Sequence, residues 1–593
     1  MEGDVPEETV TLRSDLRAVL GSLPLFQGLE DETLQAIAQE VEWLSVPGGM
    51  ALFTAGEASD ALFVVLSGCL GVFALPSQDR RRFIGRIVAG DTAGEMGLIS
   101  GRPRTATVVA LRDTELARLS RDAFDRVFRR HPEAMLRIAQ LTVDRLEYAQ
   151  NRARAQRART FTVLPHTMEV DAAGFASELV KALREFGRTE LVWSVRGATH
   201  TSHWFNVLEA ANDFVVYVAD PGISNWTNLC VRQADALMLL ARADSAPGEF
   251  PVLTASPRDA NTVTQRSELV LLHEGSIVPG AAARWMATQP GVPHHHVTGP
   301  ADVVRVARLL TGHGLGIVFS GGGARGFAHI GIVKALREAG IPADLVGGTS
   351  MGAIMGAGVA AQWSIEEMTE RFRRSFVTVN PLRDYTYPIF SLVTGRKVST
   401  LLHREFGDVS IEDLPLPFFC VSSNLTTGHS DVHRRGTLWR WLRASVAIPG
   451  VLPPVMNDGE ILVDGGTMNN LPVDAMRELG RGPVIGCDVG GDRAFAATGN
   501  DVDVPGPWDF LGWMRRGPRP SIFRVLWRAG MVNSAATTLA HREKTDLLLQ
   551  PPLAEIDMLN WQSFDRAIAL GYEYTVRRLE ELPSDATVWK RAG

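Results

Sequence analysis

The chain has 593 residues, 45% of them hydrophobic and 21% charged, with a formal net charge of −7. That balance is ordinary for a globular protein and argues against disorder; no Lys/Arg run dominates a domain, so nucleic acid is not the expected partner. The four cysteines, Cys69, Cys230, Cys420 and Cys487, are scattered without a CxxC pair, which excludes a disulfide scaffold and a cysteine zinc site and fits a reducing, cytoplasmic setting.

Residues 1–22 are polar and begin MEGDVPEETVTLRSD, with no apolar stretch of a signal peptide; a flexible tail is expected. No apolar run reaches the ~18 residues of a spanning helix, so lipid would be met peripherally, from the water side. Between 23 and 159, short apolar runs broken by glycine (ALFVVLSG, CLGVFAL, FIGRIVAG) predict an antiparallel β-roll. Helical spacing follows in DAFDRVFRRHPEAMLRIAQLTVDRLEYAQ and ends in a basic linker.

From 160 to 312 strand-like and helix-like stretches alternate, which predicts a parallel sheet with crossover helices. This region lacks the G-x-x-x-x-G-K-[ST] loop that cradles phosphates, so a spacing role is expected rather than nucleotide binding. His294, His295 and His296 lie in succession on a predicted strand, where side chains alternate direction and cannot share one ion; no metal is expected. A second α/β pattern covers 313–490. Residues 491–593 read as a partly helical extension. Within it WDFLGWMRR from Trp508, followed by Ile522, Phe523, Leu526, Trp527 and Arg528, mixes aromatics with arginines. Such a mix suits an interfacial helix or a packed helix with arginine at its rim.

Two glycine motifs in 313–490 carry chemistry. Gly348, Ser350 and Gly352 form G-x-S-x-G between a predicted strand and helix. Such a turn can lift a serine hydroxyl clear of a sheet, although a serine there can also simply cap the helix. Upstream, Gly321, Gly322, Gly323, Ala324, Arg325 and Gly326 follow the strand LGIVFS. A glycine loop opening a helix presents amides to an anion. A dinucleotide fingerprint also fits literally, but no acidic residue ends the next strand; the serine turn does. An oxyanion hole beside a nucleophile explains both motifs together. The base is then sought downstream. His403, His429, His433 and His541 lie outside glycine-bounded strand ends, whereas Asp464 ends the strand ILVD and precedes two glycines.

The order GGGxRG, GxSxG and DGG resembles the patatin-like phospholipase family, particularly its bacterial and neuropathy-target-esterase-like branch. RASVAIPGVLPPV (Arg443 to Val455) and NNLPV add to the likeness, which covers about Gly314 to Cys487. The resemblance implies that Ser350 is the nucleophile and Asp464 its base, without a histidine. It implies an oxyanion hole from Gly321, Gly322 and Gly323 with Arg325 fixing the loop, and no catalytic cofactor. The implied reaction is hydrolysis of phospholipid or lysophospholipid esters through an acyl-enzyme. Transfer to a lipid alcohol is the alternative with the same dyad, and a non-catalytic sensor is an alternative of another class.

Within the predicted roll, Gly94, Glu95, Arg104 and Thr105 belong to GEMGLISGRPRTATV. A turn with successive amides and an arginine suits a cyclic phosphate, and a glutamate can accept from a ribose hydroxyl; Glu95 and Arg104 could equally form a surface ion pair. The stretch resembles the phosphate-binding cassette of cyclic-nucleotide-binding domains, such as those of kinase regulatory subunits and bacterial catabolite regulators. Gly56, Glu57 and Gly68 fit the same roll. The resemblance implies that Glu95 holds the ribose 2′-hydroxyl and Arg104 the phosphate of cAMP or cGMP. The fold class expected is thus multidomain: a β-roll, a middle α/β region and a C-terminal α/β hydrolase.

Overall fold

The computed structural model describes residues 31–74, 82–130, 158–200, 202–255, 266–387, 391–490 and 534–582, with Gly21, Val525 and Val532. The expected tail, the helix and linker after the roll, and nearly all of the Trp508–Arg528 stretch lie outside the described residues.

The chain forms two compact units, 1–272 with 286–304, and 273–285 with 305–593. In the first, eight strands make the roll: β1 (Glu42–Val46), β2 (Ala51–Phe53), β3 (Ala61–Ser67), β4 (Cys69–Ala74), β5 (Arg82–Val88), β6 (Thr92–Ala93), β7 (Thr107–Ala110) and β8 (Thr114–Ser120). They pair antiparallel in two four-stranded sheets, β1-β8-β3-β6 and β2-β7-β4-β5. Phe53, Phe63, Val65, Leu70, Ile87, Val108 and Leu116 fill the space between them. The alternating apolar residues of each strand supply that core.

A six-stranded parallel sheet follows, built from β9 (Thr160–Pro165), β10 (Thr189–Val192), β11 (Phe214–Val218), β12 (Ala236–Arg242), β13 (Arg266–Leu272) and β14 (His294–Val297). Its order is β10-β11-β9-β12-β13-β14. Every residue of β9 and β11 is buried, which explains runs such as FVVYV that do not alternate: crossover helices cover both faces of a parallel sheet. After β9, Asp171 caps the helix Ala172–Leu183 by accepting from Gly174 N at 2.8 Å. On β14, His295 turns to Glu268 at 3.0 Å, while the His294 and His296 rings meet each other.

Between β7 and β8, Arg112 leaves the roll and enters the six-stranded domain. Its guanidinium pairs with Glu209 and lies 3.7 Å from Asp235; Tyr217 donates to the other Glu209 oxygen at 2.8 Å. All four side chains are buried or nearly so. Burial pushes the Glu209 carboxyl upward against the pull of Arg112. Beside this cluster Asp113 N donates to Arg232 O at 3.2 Å and Arg232 Nε to Asp113 at 3.3 Å. An arginine in a strand turn is thus the buried peg between two domains.

The second unit holds an eight-stranded sheet: β15 (Gly316–Phe319), β16 (Leu345–Thr349), β17 (Phe418–Asn424), β18 (His429–His433), β19 (Val455–Asn457), β20 (Glu460–Asp464), β21 (Val484–Cys487) and β22 (Leu547–Leu549). The order is β19-β20-β17-β16-β15-β21-β22, with β18 also on β17. From β17 to β22 the strands run parallel, whereas β18 and β20 are antiparallel to β17. Of the residues after 490, those described at 534–582 join this unit: β22 pairs with β21, and the helix Phe564–Glu580 packs on the helix Ala328–Glu338. Phe319, Phe327, Ile354, Phe372, Phe418 and Phe564 share one core.

Removing one member of a buried ion pair strands the others in a poor solvent for charge. Arg112→Met should therefore lower the stability of the first unit by about 3–5 kcal/mol, read by denaturant unfolding. A loss below about 1 kcal/mol, typical of a surface pair, would show that the cluster is solvated.

Candidate active site

One residue, Ser350, separates the end of β16 from the helix Met351–Ala360. It takes φ 54° and ψ −126°, a conformation that costs a non-glycine residue free energy and collects at functional turns. The turn is this tight because its flanks are glycines. A Cβ on Gly352 would lie 2.4 Å from the carbonyl oxygens of both Phe319 and Ser320. One on Gly348 would lie 2.7 Å from Gly352 C.

Asp464 reaches the same point from another strand. β17 pairs with β16 over Phe418–Val421 and with β20 over Ser422–Asn424, so β20 comes in where β16 has stopped. Ser350 Oγ donates to Asp464 Oδ2 at 2.7 Å, and Gly466 N donates to Oδ1 at 2.8 Å. Asp464 is fully buried and Ser350 nearly so. Burial pushes the carboxyl up to about 7, although both hydrogen bonds pull the other way. A carboxyl that ionises near neutrality and already accepts a hydrogen bond from the hydroxyl is matched to proton transfer.

The glycine loop runs beside the hydroxyl: a Cβ on Gly321 would lie 3.0 Å from Ser350 Cβ. The three glycines are not equivalent. Gly321 N donates to Asn470 O at 3.3 Å, whereas the amides of Gly322 and Gly323 make no hydrogen bond among the described residues. Two amides are thus open to an anion. Arg325 is buried and locks the loop by donating from Nε to Ile556 O at 2.8 Å and from Nη1 to Gly490 O at 2.7 Å. Below it, Val489 N donates to Ser320 Oγ at 2.9 Å and His329 Nε2 meets Ser320 O at 3.0 Å.

Three of the four downstream histidines have other partners. His403 faces Asp408 at 3.1 Å, His433 meets Ser422 Oγ at 2.6 Å, and His541 meets Leu471 O at 2.9 Å. His429 is exposed at the start of β18. None bonds Ser350 or Asp464. Ser445, unassigned from sequence, accepts from Ser350 N at 2.8 Å. Its only sequence signal was its place in the RASVAIPG stretch.

In the roll, Glu95 and Arg104 are buried rather than a surface pair. Arg104 donates from Nη1 to Gly94 O at 3.0 Å and from Nη2 to Ala61 O at 2.8 Å and Asp60 at 3.3 Å. Its guanidinium lies 4.2 Å from the Phe53 ring centroid. Gly94 has φ 89°, and a Cβ there would fall 2.2 Å from Nη1, so the glycine makes room for the arginine. Arg104 Nε is buried and has no partner among the described residues; a cyclic phosphate is an acceptor that fits it. Thr105 is exposed beside it.

Three family profiles match the chain in succession. They are the cyclic nucleotide-binding domain over residues 43–131, the Neuropathy Target Esterase family P-loop like domain over 157–311, and patatin-like phospholipase over 317–477. The protein therefore joins a cyclic nucleotide-binding domain to a patatin-like phospholipase domain. The domain between them matches the P-loop like domain of the neuropathy target esterase family. Patatin-like phospholipase domain-containing protein 6 of Homo sapiens is 31% identical over 90% of this chain and 44% of its own. Neuropathy target esterase sws of Drosophila melanogaster is 30% identical over 91% and 43%. Lysophospholipase nte1 of Aspergillus fumigatus is 29% identical over 92% and 42%. The chain thus spans less than half the length of these relatives. Among solved structures, the catabolite activator protein of Thermus thermophilus is 26% identical over 27% of this chain and 68% of its own, with a TM-score of 0.21.

Proposed function

We propose that the chain is a serine esterase that hydrolyses carboxylic esters of lysophospholipids or phospholipids, with Ser350 as nucleophile and Asp464 as base. The observation that carries this reading is the 2.7 Å bond from a strained serine hydroxyl to a fully buried carboxylate, beside two unused loop amides. The patatin-like phospholipase match and the name of the fungal lysophospholipase support the lipid ester.

Asp464 takes the Ser350 proton as Oγ attacks the ester carbonyl. Negative charge develops on the carbonyl oxygen, where the Gly322 and Gly323 amides stabilise it. Asp464 returns the proton to the leaving alcohol, and the acyl group remains on Ser350. Asp464 then takes a proton from water, the hydroxide attacks the acyl carbon, and Asp464 returns that proton to Ser350 Oγ as the acid is released. No histidine is required, because burial brings the carboxyl to about 7. Among the described residues no helix is long and apolar enough to cross a membrane. We infer peripheral contact with lipid; the Trp513 and Trp527 surface considered from sequence lies outside the described residues. A cyclic nucleotide on Arg104 and Glu95 is the proposed effector, supported by an Arg104 Nε without a partner among the described residues and by the domain match.

The base works only when ionised, so hydrolysis of a lysophospholipid should rise with pH through a midpoint of about 7 and level off above it. Asp464→Asn should abolish the rise and lower kcat by ~10²-fold or more, while His433→Ala keeps the midpoint. A histidine whose replacement stops hydrolysis in a folded protein would refute the dyad.

Arg104→Ala should weaken binding of cAMP or cGMP by at least ~10-fold in calorimetry. Should the wild type bind neither at millimolar concentration, the regulatory part of the reading falls and the esterase part stands.

A further inference from the structure

The nucleophile and the base sit on different strands, and each needs its backbone held. Ser350 stands at the cap position just before the helix Met351–Ala360, and its N–H has no acceptor within that helix. It is buried, so an acceptor must come from elsewhere. Ser445 supplies one: its Oγ accepts from Ser350 N at 2.8 Å and donates to Val421 O at 2.7 Å. Ser445 ends the helix Leu438–Ser445 and is fully buried. A serine at a helix end commonly returns its hydroxyl to the carbonyl four residues back. This one instead bridges the elbow to β17. Two residues on, Ala447 O accepts from Asp464 N at 2.9 Å. The intervening turn is itself closed, with Val446 N donating to Leu442 O and Ala447 N to Ala444 O, each at 3.1 Å. A single three-residue segment therefore grips the main chain of both Ser350 and Asp464.

We propose that Ser445 is a positioning residue: together with the Ala447 carbonyl it sets the distance between Ser350 Oγ and the Asp464 carboxylate. The proposal rests on the Ser–Asp reading above. Without the Ser445 hydroxyl, Ser350 N and Val421 O both lose a buried partner. The elbow, already at a positive φ, is then free to relax away from β20. The Ser350 bond is one of the two influences that pull Asp464 down against burial, so a looser contact raises the pH at which the base ionises.

The test compares the full chain with Ser445→Ala and Ser445→Thr in lysophospholipid hydrolysis, with circular dichroism and thermal unfolding as fold controls. Ser445→Ala should lower kcat by about 10-fold or more with KM nearly unchanged, since a displacement of ~1 Å at a reacting pair has that scale of effect. Its pH midpoint should move upward, and Ser445→Thr, which keeps the hydroxyl, should recover most of the rate. If Ser445→Ala does not fold, Ser445→Cys keeps the volume with a weaker hydrogen bond and carries the same expectation. A folded variant with wild-type kcat, or with an unmoved pH midpoint, overturns the proposal. Absence of hydrolysis by the wild type would instead overturn the esterase reading on which it rests.

Discussion

Asp464 ends its strand inside the protein with two hydrogen bonds, from the Ser350 hydroxyl and the Gly466 amide, and with no cation paired to it among the described residues. In water such a carboxyl, with a pKa of about 3.9, would be too weak a base to move a serine proton. Burial brings it to about 7. The shift means that ionised Asp464 opposes folding by roughly 4 kcal/mol. The sign follows from linkage: the folded state binds the proton more tightly, so this destabilisation is full above pH 7 and fades as pH falls toward 4. The surrounding fold must supply that free energy and also keep a strained serine pressed against the carboxylate.

Much of the second unit can be understood as that support. Gly352 lets the elbow helix come within contact of the end of β15, and Gly348 lets the same helix close on β16. Arg325 and Ser320 tie the glycine loop to the segments at 490 and 556. Those segments are held in turn by β22 and the helix Phe564–Glu580, which close one side of the sheet. The loop amides can then stay empty-handed and in place, because the backbone around them is bonded elsewhere. Such preorganisation is what makes an oxyanion site effective.

Legibility from sequence followed the range of the interaction. The elbow, the glycine loop and the cassette are local, since each is a run of glycines whose spacing states the turn it makes. Asp464 was legible because a strand-end aspartate before two glycines is also local, but its burial was not, because burial depends on β17 and on the helix Leu438–Ser445. The division of labour among Gly321, Gly322 and Gly323 depends on Asn470, far away in sequence. Ser445 looks like any helix-end serine until the elbow amide is seen against it. Arg112 looks like a solvated turn residue, and only the approach of Glu209 and Asp235 makes it a core ion. The strand Leu547–Leu549 was hidden for the same reason: parallel pairing brings together segments with no local signature.

The central claim is that Ser350 carries the acyl group. A fluorophosphonate probe, followed by mass spectrometry of the digested full chain, tests it most directly. The adduct should lie on Ser350 alone, form faster as pH rises through about 7, and vanish together with ester hydrolysis in Ser350→Ala. An adduct on another residue, or hydrolysis that persists in Ser350→Ala, would contradict the account.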